Sequence, residues 1–253
     1  MVKEVPQKKT FDYVLQLNSI GSFLTWSIFV ISLTPLLLSA FVDFGISDLI
    51  NWLLLILIPS DFIIGMIKTH YLMPKAEKKR RYDALDNSFG SAFSLQNSKE
   101  YFTNDEVEFG INKLGVNLFQ NVFYTTRLSD KMMTSYIVKS SIFGVVFFIM
   151  AIYGLKNSPI MLPIFQFLFS AVIFGDLVKF LLFHRENNRI LDELIVGFQT
   201  ELNKTTILKE YLDYETNISW GQILICDKLF DKYDKTLEGE WQKLKQKFNI
   251  NGK

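Results

Sequence analysis

The stretch Ser22 to Val42 reads SFLTWSIFVISLTPLLLSAFV and contains no charged residue. At about 1.5 Å of rise per helical residue it is long enough to cross roughly 30 Å of hydrocarbon. Three further apolar blocks follow. One runs from about Leu49 to Ile67, interrupted by Asn51 and Asp61, and another from near Ile137 to Leu155, with Lys139 at its entrance. The last runs from Ile160 to Phe183 and carries Gln166, Asp176 and Lys179. Buried core helices of a soluble protein are the competing reading, but four blocks of near-spanning length are hard to bury in one short chain.

Bulk composition does not reveal this pattern, because 49% hydrophobic residues is also ordinary for a soluble domain. Most of the 27 Lys and Arg and 26 Asp and Glu fall between or after the apolar blocks, so the net charge of +1 carries little information. The first block is too long for an export-signal core and lacks a small-residue cleavage site after it, so it is read as a retained span.

The expected fold is an all-α integral membrane protein: two transmembrane helical hairpins, four spans in all, with a cytoplasmic helical bundle. Its segments are a cytoplasmic N-terminal tail (1–18), hairpin 1 (19–68), a cytoplasmic helical segment (69–136), hairpin 2 (137–183) and a cytoplasmic C-terminal segment (184–253). Orientation follows from Lys and Arg near the span ends. The turn from Asp43 to Asp48 has none, whereas the tail carries Lys3, Lys8 and Lys9, and Lys68, Lys75, Lys78, Lys79, Arg80 and Arg81 follow the second span. Lys156 stands alone in the next turn, against Arg185 and Arg189 after the fourth span. Both termini and the long loop are thus expected on the cytoplasmic side of the membrane. The single Cys226 cannot form an intramolecular disulfide, in keeping with a reducing compartment.

Asn104 is the expected N-cap of a helix opened by Asp105, Glu106 and Glu108. Val107, Ile111, Leu114, Leu118 and Val122 continue it at helical spacing. Ile190, Leu191, Leu194, Ile195, Phe198 and Leu202 form a matching stripe, and Trp220, Ile223, Leu224, Leu229 and Phe230 a later one. Residues 82–103, rich in Ser, Asn, Gly and Phe, read as a structured loop. In Asp83-Ala84-Leu85-Asp86 the carboxylates read as solvated cap or turn residues rather than a metal site.

No catalytic or phosphate-loop motif is present, so no enzymatic activity and no cofactor are expected. His70 and His184 read as interfacial hydrogen-bonding residues. A carboxylate near mid-bilayer costs about 2.5–3.5 kcal/mol on insertion scales, so Asp61 and Asp176 should face protein or water. Asp176 and Lys179 are close enough on one helix to pair. Packing ion pairs and a water-filled path in an oligomer both account for these charges. Each aspartate stands some seven to nine residues before a basic span end, a spacing that duplication and chance both produce. The run from Lys75 to Arg81 suits anionic lipid. With Tyr82, Tyr101 and Arg127, Arg80 and Arg81 also make a candidate anion or nucleotide site, because guanidinium and aromatic groups suit phosphates and bases.

The segments from Arg81 to Gly90 (RYDALDNSFG), Tyr101 to Glu106 (YFTNDE) and Lys113 to Asn121 (KLGVNLFQN) resemble the SMODS-associated four-transmembrane proteins. That family is assigned as pore-forming effectors of bacterial anti-phage systems built on cyclic-oligonucleotide signals. The motif similarity covers about the middle fifth of the chain, and the two-hairpin layout covers all of it. The resemblance implies a membrane effector that forms a homo-oligomer in the lipid bilayer. It also implies an activating cyclic nucleotide, made by a partner nucleotidyltransferase and bound on the cytoplasmic side. No nucleic-acid polymer is expected as a partner. A constitutive channel or transporter subunit and a membrane scaffold are the competing functions.

Overall fold

A computed structural model describes residues 7–37, 44–94, 98, 102–157, 175–200, 203–225 and 227–250. Tyr101, Cys226, Asp43 and most of the expected fourth span lie outside the described residues. Among the described residues the chain is helical throughout its regular structure, with no strand. It divides into two compact units, Met1–Phe102 and Thr103–Lys253. The division falls inside the segment 69–136 that the sequence presents as one piece.

In the first unit, α1 (Lys8–Leu37) packs against α2 (Phe44–Met66). A π-helical segment, Ile67–Leu72, then leads directly into α3 (Met73–Phe89). Two stretches are long and apolar enough to cross a membrane, one within Lys8–Ser32 and the other within Asp48–Phe89. Only 11% and 6% of those windows are buried, which separates them from the core helices of a soluble protein. Their exposed side chains include Phe23, Val30, Trp52, Leu55, Ile56 and Phe62. Such large apolar surface is compatible with membrane insertion.

α3 continues to Phe89, past the expected loop start at Tyr82, and ends where Gly90 adopts φ 65°. That left-handed conformation costs a residue without Cβ little, which makes glycine a frequent helix stop.

The second unit is built on α4 (Ile111–Asn157), against which α5 (Gly175–Thr200), α6 (Lys204–Gly221) and α7 (Asp227–Lys247) pack. The first part of α4 is almost entirely buried. Phe119, Val122 and Phe123 meet Ile190, Leu191 and Leu194 of α5, Tyr214 of α6, and Leu237 and Trp241 of α7. Further along the same helix Ile137, Val138, Val145 and Phe148 are exposed. α4 therefore leaves the bundle core and continues as an outward-facing apolar helix.

Two sequence expectations change here. α4 begins at Ile111, not after Asn104. Asn104 is fully buried, and its amide donates to Asn117 Oδ1 (2.9 Å) and Gln120 Oε1 (2.7 Å), so tertiary partners replace a capping role. Trp220, expected in the core stripe, is 51% exposed, and α7 fills the core with Leu237 and Trp241 instead.

Candidate functional site

Asp61 sits on α2 facing α1, where it is hydrogen-bonded to Thr25 and has Lys68 as a nearby cation. Lys68 Nζ in turn donates to Asn18 Oδ1 at 3.0 Å. The spacing is reciprocal: Thr25 follows Asn18 by seven residues, as Lys68 follows Asp61. Two helical turns on antiparallel partners bring both rungs into register. Gly21 lies between the rungs on α1, and a Cβ there would stand 3.7 Å from the Asp61 carboxylate. The sequence singled out Asp61 but not Asn18 and Thr25, whose polarity is unremarkable until the hairpin partner is known.

Asp176 is exposed, and its charge acts on Tyr136 of α4. No ion pair joins Asp176 to Lys179 among the described residues. Tyr136 stacks on Phe180 with ring centroids 4.1 Å apart. One turn further, His184 Nδ1 lies 2.8 Å from Ser129 Oγ, and Asn188 donates to His184 Nε2 at 2.9 Å. Asp130 Oδ1 also lies 3.4 Å from His184 Nε2. These pairs lock α4 and α5 together where both change from apolar to charged surface.

The candidate nucleotide residues are divided between the units. Arg80 gives Nε and Nη2 to Glu77 Oε2 at 3.1 and 2.9 Å, and Glu77 is buried. Its guanidinium is therefore already engaged by a carboxylate. Arg81 is half-buried on the same helix, and Tyr82 lies 5.9 Å from Phe93 with Lys78 over its ring. Arg127 belongs to the second unit, where it lies over the Phe123 ring and within 3.9 Å of Asp130 and 3.7 Å of Glu240.

The carboxylates of Asp83 and Asp86 are buried anchors, contrary to the solvated roles expected of them. Asp86 accepts from the Ser91 hydroxyl (2.7 Å), the Phe93 amide (2.8 Å) and both the amide and hydroxyl of Ser94. Asp83 accepts from the Ser98 amide (2.7 Å) and from Gln7 (3.2 Å). Burial pushes the Asp86 carboxyl up, but the donors from Ser94, Ser91 and Phe93 outweigh it and hold the group below the usual carboxylate range. A lowered folded-state pKa stabilises above the unfolded value and is lost as pH falls through the folded one. Asp86→Ala is therefore expected to release residues 90–94 to protease attack at neutral pH. The native loop should resist until the medium is more acidic than about pH 4. Equal cleavage rates of the two proteins at neutral pH would contradict the anchor.

In the second unit Arg189 of α5 holds three carboxylates: Glu186 (2.7 Å), Asp213 (2.7 Å) and the buried Glu210 (3.3 Å). Its hydrogen bond to Glu186, with the charges of Glu210 and Asp213, pushes the guanidinium pKa up. Lys209 reaches the same cage through Glu210 and Asp213. Beside it opens a cleft of about 420 Å³ lined by Leu182, Arg185, Glu186, Arg189, Asn217 and Trp220. Next to these lining residues α5 and α6 pack closely, because Gly221 lies so near Phe183 that a Cβ would fall 2.4 Å from the ring.

The residues that carry the sequence resemblance are mostly interior. Asp83, Asp86, Asn104, Lys113, Asn117 and Gln120 are all buried and polar. Compared with protein-family models, curated proteins and solved structures, the chain gives no match.

Proposed function

We propose that this chain is a multi-pass membrane effector of bacterial anti-phage defence. Its four spans carry a cytoplasmic bundle, a cyclic nucleotide is its activating ligand, and its homo-oligomer permeabilises the inner membrane. The observation that carries the reading is the course of α4, one continuous helix of 47 residues. It runs from a buried bundle core to an exposed apolar stretch, so a shift in the bundle moves the membrane end of the same rod. α2, the π-helical segment and α3 have a similar continuity, joining an apolar helix to a basic one. π-helical turns are frequent where a helix carries a functional adjustment. Outward apolar side chains on α1, α2 and the later part of α4 support insertion of each, and the apolar run before Phe183 supplies the fourth span.

Dye release from liposomes holding the purified full chain tests this, with a panel of cyclic di- and trinucleotides added outside. Release that requires one of the nucleotides is the expected result. Release without ligand would favour a constitutive channel, and tight liposomes under every condition would favour a scaffold.

A further inference from the structure

We infer that the cleft between α5 and α6 binds the headgroup of a zwitterionic aminophospholipid, its phosphate on Arg185 and its ammonium toward Glu186. The level of the cleft comes first. On α5 the exposed apolar residues Val178, Leu181 and Leu182 are followed at once by Arg185 and Glu186, and the next exposed apolar side chain, Val196, comes three turns later. On α4 the exposed apolar run begins at Ile137, just after Asp130 and Lys131. The contacts Tyr136–Phe180 and Ser129–His184 put these two transitions side by side. α6 returns to the same level, because Asn217 Nδ2 donates to the Phe183 carbonyl at 3.0 Å and Gly221 abuts the Phe183 ring. Trp220 and the partly exposed Ile223, Leu224 and Ile225 therefore stand at the boundary between apolar and charged surface. An indole at that depth is characteristic of the bilayer interface.

The chemistry of the walls selects the ligand. Among the described residues, no side-chain hydrogen bond or ion pair engages the Arg185 guanidinium or the Trp220 indole. Arg185 can thus offer a bidentate fork to a phosphodiester, and Trp220 an N–H and an apolar face. Leu182 on the apolar side suits the glycerol and first acyl carbons. Beside the cleft, among the described residues, the three carboxylates of Glu186, Glu210 and Asp213 are paired with the two cations of Arg189 and Lys209, which leaves one negative charge in excess. One free cation beside one surplus carboxylate matches a headgroup carrying a phosphate and a primary ammonium. A second anionic group would meet that surplus charge, and a trimethylated amine would lack the N–H donors. The volume of about 420 Å³ is sufficient for such a headgroup.

This assignment rests on the four-span reading, since it needs the end of the fourth span at the bilayer surface. Labelling of a cysteine placed at Asn157 tests that topology separately. The test of the cleft itself is native mass spectrometry of the full chain in detergent, after delipidation and addition of equal phosphatidylethanolamine, phosphatidylcholine and phosphatidylglycerol. Retention of phosphatidylethanolamine about tenfold above the other two is expected, as for loss of one charge-assisted hydrogen-bonded group. Arg185→Ala should abolish retention of the lipid with helicity unchanged, because that side chain holds no protein partner. Arg185→Lys should restore part of it, and Trp220→Leu should weaken it. Equal retention of the three lipids, preference for phosphatidylglycerol, or an unaltered Arg185→Ala variant would overturn the assignment. Displacement of the lipid by soluble phosphoethanolamine at matching concentration would also overturn it, by pointing to a free metabolite.

Discussion

Trp241→Ala is expected to lower the unfolding free energy of the second unit by about 3–5 kcal/mol, the usual range for removing a buried tryptophan. Trp241 is fully buried on α7 and meets Phe119 edge-on at 5.3 Å, with Phe123 at 6.3 Å. Phe119 also stacks on Phe198 at 5.0 Å, so one side chain joins α7 to both α4 and α5. Among the described residues the indole Nε1 has no hydrogen-bond partner. Trp241→Phe removes less volume and no hydrogen bond among the described residues, so a smaller cost than that of the alanine variant is expected. Denaturant unfolding of the full chain in detergent, followed by helicity, distinguishes the two variants. A loss under about 1 kcal/mol for the alanine variant would show that α7 is not part of the cooperative core.

The largest functional effect is expected at Asp61 and Asp176, on the hypothesis that both belong to the conduction path. Asp61 already has a protein partner in Thr25 and a cation nearby in Lys68, whereas Asp176 is exposed. In an open oligomer each would contribute a ring of carboxylates, which favours cation passage. Asp61→Asn keeps a hydrogen-bonding group for Thr25 and removes the charge. Asp61→Asn and Asp176→Asn should each reduce the cation-to-anion permeability ratio, because each removes one ring of negative charge. Reversal potentials in planar bilayers measure that ratio. If both variants insert and conduct with unchanged selectivity, Asp61 is a packing residue of the first hairpin and Asp176 lies off the path.

Apolar periodicity carried the legible part of the fold. Leu118 and Val122, with Ile190, Leu191 and Leu194, recur at helical spacing and all five lie in the core of the second unit, whereas Val107 reaches that core from the non-helical segment before α4. Apolar length likewise marked the first two membrane-compatible helices. Polar residues were harder to read because their partners come from distant segments. Asn104 looks like a cap by its neighbours, yet Asn117 and Gln120 take its side chain. Asp86 sits where no period exists, and the loop after α3 is shaped by the donors converging on its carboxylate. Arg80 is different: Glu77, three residues before it, is a partner visible in the sequence. Weighing that pair would have lowered Arg80 as a phosphate ligand. Neither wall of the cleft beside Arg189 stands out in the sequence, because Arg185 and Trp220 are brought together only by the return of α6.

Single cysteines for topology probing, in a Cys226→Ser background, test the four-span reading most directly. Positions Asp43, Asn97, Asn157 and Lys253 are each labelled with a membrane-impermeant maleimide on intact spheroplasts and again after lysis. The account predicts that Asp43 and Asn157 react in intact spheroplasts and that Asn97 and Lys253 react only after lysis. Reaction at Asn157 only after lysis, with Asp43 still outside, would leave one hairpin in the membrane and contradict the account.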